Sequence, residues 1–84
     1  LGDVYKRQGD SVYVFRLYPT VQESVEAEIF VPYTEAKISE ICMVENGETV
    51  AFKEVEGGLC ITVPAGYRRG SAPIALVFEM KKER

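Results

Sequence analysis

Residues 41–63 read ICMVENGETVAFKEVEGGLCITV, and this stretch decides the fold. It contains three runs rich in β-branched and aromatic residues, separated by two short segments that contain glycine. Asn46–Gly47 lies between the first two runs and predicts a type I′ hairpin, since both central residues of that turn need positive φ. Gly57 and Gly58 predict a second turn before the third run. The stretch therefore predicts consecutive antiparallel strands.

Similar apolar runs flank this stretch, at 11–19 and 25–32 before it and at 74–80 after it. Apolar and polar residues alternate in most of these runs, as in strands that bury one face. The residues expected to face the core are Val25, Ala27, Ile29, Val31, Val50, Phe52, Leu59, Ile61, Val63, Ile74, Leu76, Phe78 and Met80. The alternation slips between Ile38 and Ile41, which predicts a β-bulge.

Only the segment 33–37 fits a helical turn, and no helical period occurs elsewhere. About six to seven short strands with regular turn signals predict an all-β fold, a small antiparallel β-sandwich. A chain of 84 residues holds one small domain, which begins near Gly9.

Composition restricts the function of the chain. The net charge of −3 argues against a nucleic-acid partner. No apolar run approaches the roughly 20 residues of a membrane span, so no membrane partner is expected. With no histidine and only Cys42 and Cys60, a zinc site lacks ligands and a Cys–His nucleophile is excluded. We therefore predict no metal, no cofactor and no catalytic residue, and spacing leaves open whether the two cysteines form a disulfide.

Two sets of side chains are candidates for contact with a sugar or a partner. Tyr18, Tyr33 and Tyr67 could stack on a sugar ring or pack at an edge or interface. Arg68 and Arg69 follow Tyr67 in a glycine-flanked loop, and their guanidinium groups could grip a carboxylate, a phosphate or a partner surface. A solvated loop is the alternative for both arginines.

A pair of carboxylates is the third candidate. Glu26 and Glu28 are two residues apart on a predicted strand, so their side chains project from one face. Paired carboxylates can cleave a glycosidic bond. The alternative, which we favour, is that they solvate the outer face of a sheet.

The run at 11–17 is apolar on both faces, with Val12 and Val14 on one and Phe15 and Leu17 on the other. In an isolated sandwich one face of each strand normally meets water. The second apolar face predicts a docking surface for another domain.

The order of these runs resembles the C-terminal β-sandwich domain of bacterial α-L-fucosidases, glycoside hydrolase family 29. The similarity covers 11–81. Phe52 stands where many members carry tryptophan, and Glu45–Asn46–Gly47 replaces their usual Leu-Gly turn. The positions that fit the family pattern are Ile38, Ile41, Met43, Val44, Gly58, Leu59, Ile61, Val63, Pro64, Leu76, Phe78 and Met80.

The resemblance implies that this chain is a non-catalytic fragment of a retaining exo-fucosidase. The catalytic aspartate and the acid/base carboxylate of that family lie in an upstream (β/α)8-like barrel, so no family catalytic residue maps onto this chain. The implied partners are the missing barrel of the same polypeptide and other subunits. The compartment stays open, and a periplasmic or secreted bacterial parent is compatible with the resemblance. A carbohydrate-binding module and an unrelated adhesion or interaction sandwich are the alternatives.

The first eight residues, LGDVYKRQ, differ from the rest of the chain. DVYKRQ resembles the in-frame translation of a transposase mosaic-end sequencing adapter. We interpret 1–8 as a non-native, adapter-derived segment of a truncated metagenomic fragment and exclude it from the prediction of the fold. Residues 9–84 then form the accessory domain.

Overall fold

The strands of the computed structural model form two antiparallel sheets. The structure describes residues 3–18, 25–67 and 75–83, and the elements below are those within these ranges. They are β1 (Asp3–Gln8), β2 (Ser11–Leu17), β3 (Glu28–Val31), β4 (Ile38–Met43), β5 (Thr49–Val50), β6 (Phe52–Val55), β7 (Gly58–Thr62), a 3-10 helix (Ala65–Tyr67) and β8 (Ala75–Lys82).

One sheet has five strands in the order β1-β2-β8-β4-β5, and the other has three in the order β3-β7-β6. All six strand pairs are antiparallel. The apolar faces of the two sheets enclose one core, so the predicted all-β antiparallel sandwich is confirmed. The core consists of Val12, Val14, Tyr18, Val25, Ile29, Val31, Tyr33, Ile38, Ile41, Met43, Val50, Leu59, Ile61, Val63, Leu76, Phe78 and Met80.

Alternation along the strands predicted most of this core. Strand β7 and the residue after it bury Leu59, Ile61 and Val63, and every second residue of β8 from Leu76 to Met80 is buried. Ala27 is exposed instead, because it lies in a bend before β3 begins at Glu28. Ile74 lies outside the described residues.

The bulge predicted in β4 is confirmed. The register of β4 against β8 shifts between Ile38 and Glu40. An extra residue on one strand breaks the two-residue repeat, and Ile38 and Ile41 are therefore both buried although they are three positions apart.

The run at 49–55, predicted as one strand, divides between the two sheets. Thr49–Val50 pairs with β4 in the five-stranded sheet, whereas Phe52–Val55 pairs with β7 in the three-stranded sheet. Ala51 lies at the division, and its carbonyl accepts a hydrogen bond of 2.9 Å from the amide of Thr62. The chain thus turns a corner of the sandwich here, which a pattern of alternation cannot reveal.

The prediction of a type I′ turn at Asn46–Gly47 is wrong. Val44–Gly47 form a four-residue loop, closed by hydrogen bonds of 2.8 Å from the Gly47 amide to the Met43 carbonyl and from the Met43 amide to the Glu48 carbonyl. Gly47 has φ 73°, and no other residue of this loop has positive φ. Asn46 acts through its side chain instead, because its Oδ1 accepts a hydrogen bond of 2.9 Å from the Glu48 amide.

Two further differences concern local structure. Residues 33–37, the segment whose sequence fits a helical turn, contain a bend, and the 3-10 helix lies at Ala65–Tyr67. The opening segment, which we left out of the fold, supplies β1. A two-residue turn, Gly9–Asp10, returns the chain antiparallel onto β2, with Gly9 at φ 62° in the first central position, where type II′ turns favour glycine.

Candidate functional site

Tyr18 and Tyr33, the two candidate tyrosines whose side chains the structure describes, do not form a platform for a sugar. Tyr18 is 4% exposed and Tyr33 is 2% exposed, so neither ring presents a face to solvent. Both belong to the core, so for these two tyrosines the structure favours a packing role over contact with a sugar. The side chain of Tyr67 and the residues Arg68 and Arg69 lie outside the described part of the chain.

The carboxylate of Glu26 is held by two groups from the end of β2. Tyr18 donates a hydrogen bond of 2.7 Å from its hydroxyl to Oε1, and Arg16 forms an ion pair with Oε2. The guanidinium of Arg16 also lies over the Tyr18 ring, 4.9 Å from its centroid. These contacts connect β2 to the chain that leads into β3.

The lowered pKa of Glu26 does not suit a general acid at neutral pH. Partial burial raises this pKa, but the hydrogen bonds from Arg16 and Tyr18 outweigh the burial, and the net pKa lies below its ordinary value. A catalytic acid needs a pKa raised toward neutrality. Glu28 is exposed. The geometry therefore does not support acid–base chemistry by this pair. Glu26 joins the end of β2 to the chain before β3, and Glu28 is exposed, as in the alternative that we favoured.

Neither cysteine forms a disulfide. Cys42 lies between the core residues Ile41 and Met43, and Cys60 lies between Leu59 and Ile61, so their side chains occupy the outward faces of different sheets. Two thiols on opposite sides of the sandwich are too far apart to be bridged.

A polar cluster on the outward face of the five-stranded sheet contains Cys42. Its thiol donates to Oε2 of Glu40 over 3.1 Å, and the hydroxyl of Thr49 donates to the same oxygen over 3.3 Å. The hydrogen bond to Glu40, followed by burial, raises the pKa of Cys42 above its ordinary value of 9.0. The thiol is therefore protonated at neutral pH and is a poor nucleophile.

Strand register arranges this outward face in rows that run across the sheet. At one end Ser11 faces Lys81, which faces Glu40. The next row holds Tyr13, Glu79, Cys42 and Thr49. Ser11 also donates a hydrogen bond of 2.7 Å to the carboxylate of Glu79. This half of the face is polar, and several of its side chains form hydrogen bonds with one another.

The other half of the same face is apolar. Phe15 pairs with Val77, and the amide of Val44 donates a hydrogen bond of 2.9 Å to the Val77 carbonyl, so three apolar side chains lie in one row. Leu17 pairs with Ala75 in the row beyond. Leu17 is 39% exposed and Val44 is 50% exposed. We call Phe15, Leu17, Val44, Ala75 and Val77 the outer apolar face.

The sequence predicted the contribution of β2 to this face but not the contributions of Val44 and Val77. Their positions depend on the pairing of β8 between β2 and β4, which brings together segments about 60 residues apart. The polar cluster was also missed. Glu40 and Cys42 are two residues apart, which is a signal for a shared face, but Thr49 joins them only through the four-residue loop.

Two of the surface clefts among the described residues are well formed, and neither gathers a set of reactive groups. One, of about 380 Å³, is lined by Tyr33, Thr34, Ala36, Lys37, Glu54, Val55, Gly58 and Leu59. The other, of about 370 Å³, is lined by Asp10, Ser11, Ser39, Lys81 and Lys82. Each cleft has a single carboxylate. The described residues contain no group of three histidine, cysteine or acidic side chains that could hold a metal ion.

Within the described residues, no helix combines the length and the apolar character that a membrane span requires. Comparisons with known proteins find no matching family model, no matching curated protein and no matching solved structure. The class of protein that the fold and the site define is thus a two-sheet antiparallel sandwich with one half-apolar outer face.

Acid is expected to weaken this domain through Glu26 and Glu40. Hydrogen bonds from Arg16 and Tyr18 lower the pKa of Glu26, and a hydrogen bond from Cys42 lowers that of Glu40. Their ordinary pKa is 4.5, so the stabilisation is complete above pH 4.5 and is lost as the pH falls through the lower pKa of the folded state. Urea midpoints measured from about pH 7 to about pH 3 should therefore fall as the pH is lowered, and we call this fall the acid limb.

Glu26→Gln should lower the midpoint at neutral pH and flatten the acid limb, since glutamine cannot ionise and cannot pair with the charge of Arg16. Glu45→Gln, an exposed change in the loop after β4, is the matched control and should leave the profile as in the parent. An acid limb in Glu26→Gln as steep as that of the parent would contradict the assignment.

Proposed function

We propose that this domain is a non-catalytic accessory sandwich that packs against a catalytic domain through its outer apolar face. The observation that carries the proposal is the row formed by Phe15, Val77 and Val44, with Leu17 beside it, on the outward side of a sheet. The outward side of a sheet in a two-layer sandwich is normally polar. Contiguous exposed apolar side chains mark a surface that contacts a partner.

The chemistry of the described side chains supports a non-catalytic role. Glu26 is engaged by Arg16 and Tyr18, and Glu40 is engaged by Cys42 and Thr49. Both carboxylates have lowered pKa values, which suits structural ion pairs and hydrogen bonds rather than proton transfer at neutral pH. The thiols of Cys42 and Cys60 have raised pKa values, which makes them poor nucleophiles.

The particular partner that we propose is the (β/α)8-like barrel of an α-L-fucosidase. The support is the resemblance of the chain to the C-terminal domain of that family. The barrel would carry out retaining hydrolysis of terminal α-L-fucosides, and the sandwich would brace it or help to assemble subunits. The outer apolar face would supply the contact. On this proposal the isolated chain does not hydrolyse an aryl α-L-fucoside, and turnover by the purified chain would refute the non-catalytic role.

The docking surface is tested with charges on the outer apolar face. Leu17→Glu with Val44→Glu places two carboxylates on exposed positions, so each change should alter the stability of the isolated chain by no more than about 0.5 kcal/mol. In the polypeptide encoded by the intact reading frame, the same pair should separate the sandwich from its neighbour. Limited proteolysis between the two domains and the thermal midpoint of the neighbour measure this separation.

The matched control is Phe30→Glu with Val55→Glu, which places the same charges on exposed positions of the other sheet. This control should leave the domain contact intact. Equal effects of the two pairs would show that the outer apolar face is not the contact. An intact reading frame that encodes no barrel would refute the fucosidase assignment. The charge substitutions would still test the docking surface in that case.

A further inference from the structure

We infer that the outward edge of β2 is a self-association edge, which pairs antiparallel with β2 of a second copy of the domain when β1 does not cover it. The inference concerns the backbone edge of the sheet and does not rest on the proposed function, which uses the outer apolar face. It starts from the pairing of β1 with β2, which is continuous from Asp3 opposite Arg16 to Gln8 opposite Ser11.

Among the described strands, β2 is the one whose edge needs a cover. The edge strands of the three-stranded sheet, β3 and β6, have four residues each and carry Glu28 in one and Lys53 and Glu54 in the other. Strand β5, at the far edge of the five-stranded sheet, has two residues. Short and charged strands of this kind resist pairing with another chain.

Strand β2 has none of these protections. It has seven residues, a single charge at Arg16, no proline, and an unbroken register against both β1 and β8. A long, flat and apolar edge is a template for another strand. Strand β1 covers this edge and is itself the edge strand of the sheet. Three of its six residues are charged, namely Asp3, Lys6 and Arg7.

The occupant that fits this edge is β2 of a second copy. Two identical strands pair antiparallel about a two-fold axis, the symmetry of most protein dimers. The pair would join β2, β8, β4 and β5 of each copy into one continuous sheet. In the structure residues 3–8 cover this edge, so a second copy can take it only when β1 is displaced.

Backbone hydrogen bonding identifies the substitutions that uncover the edge. The two-residue turn makes Gln8 and Ser11 a hydrogen-bonded pair. Hydrogen-bonded and non-hydrogen-bonded pairs alternate along an antiparallel ladder. Lys6 with Tyr13 and Val4 with Phe15 are therefore hydrogen-bonded pairs as well. The amides of Val4 and Lys6 thus point at β2, and those of Tyr5 and Arg7 point away from it.

The test compares two double variants of the full chain. Val4→Pro with Lys6→Pro removes two amide hydrogens that bond to β2 and should therefore release β1. Two uncovered copies should then pair, and the mass measured by light scattering should double. Tyr5→Pro with Arg7→Pro also removes one apolar residue and one cation, but its prolines replace amides that face solvent, where an edge strand tolerates them. This control and the parent chain should remain monomeric at the same concentration.

Amide hydrogen exchange then locates the interface. The amides of Tyr13 and Phe15 point toward β1 and should stay protected in the dimer of the Val4→Pro, Lys6→Pro variant. A folded variant that remains monomeric, a dimer in which these two amides exchange freely, or a parent chain that is already dimeric would each overturn the inference. So would loss of the folded state at every concentration, since β1 would then be an integral strand and not a cover.

Discussion

Phe78→Ala is expected to lower the free energy of unfolding by about 4 kcal/mol, the range measured when a buried phenylalanine is truncated. Phe78 lies in the middle of β8, is 0% exposed, and is the largest of the fully buried side chains. Strand β8 is the central strand of its sheet and pairs with both β2 and β4. A cavity at this position therefore removes contacts with two neighbouring strands as well as with the opposite sheet.

A loss of this size is about half of the stability expected of an 84-residue domain, at about 0.1 kcal/mol per residue. The melting temperature should fall by about 20 °C, because each kcal/mol is worth about 4–8 °C in a domain of this size. Thermal unfolding followed by circular dichroism measures the change.

Phe30→Ala is the matched control, since it removes the same atoms from a ring that is 47% exposed on the outward side of the three-stranded sheet. It should lower the melting temperature by only a few degrees, about a tenth to a quarter of the effect at Phe78. Similar losses in the two variants would mean that the core does not lie between the sheets at Phe78.

Gly58→Ala is expected to cost about 3 kcal/mol, at the upper end of the usual cost of overpacking. A Cβ atom on Gly58 would lie 2.1 Å from the carbonyl oxygen of Val31 and 3.0 Å from the Cα of Pro32. Both obstacles are backbone atoms, so no side-chain rotation relieves the contact. Strands β7 and β3 would have to move apart where they pair near Leu59 and Val31.

Gly66→Ala is the control for this substitution. A Cβ atom on Gly66 meets no heavy atom within 4 Å, and Gly66 has no positive φ. Its urea midpoint should match that of the parent, whereas Gly58→Ala should shift the midpoint markedly at an unchanged slope. A Gly58→Ala variant as stable as Gly66→Ala would show that the close approach of the two backbones is absent in solution.

Within the core, some features were predictable from the sequence and others were not. The bulge in β4 is visible in the sequence because it moves Ile38 and Ile41 out of the two-residue alternation. The roles of Tyr18 and Tyr33 were not visible, since tyrosine is equally suited to a core and to a partly exposed edge. Only the neighbours of each ring decide between these environments, and here they bury both.

The sequence by itself determined that the fold is all-β and identified most of the side chains that face the core. This follows because successive side chains of a strand point to opposite faces, so a local pattern of two residues reports burial directly. The strands from Leu59 to Val63 and from Leu76 to Met80 show it.

The tertiary structure alone decided which strands are neighbours. It divided 49–55 between the two sheets and recruited 3–8 as an edge strand. It also placed Phe15, Val77 and Val44 in one row to form the outer apolar face. These features depend on backbone hydrogen bonds between segments far apart in the chain, and main-chain pairing of this kind leaves little trace in the residues that it joins.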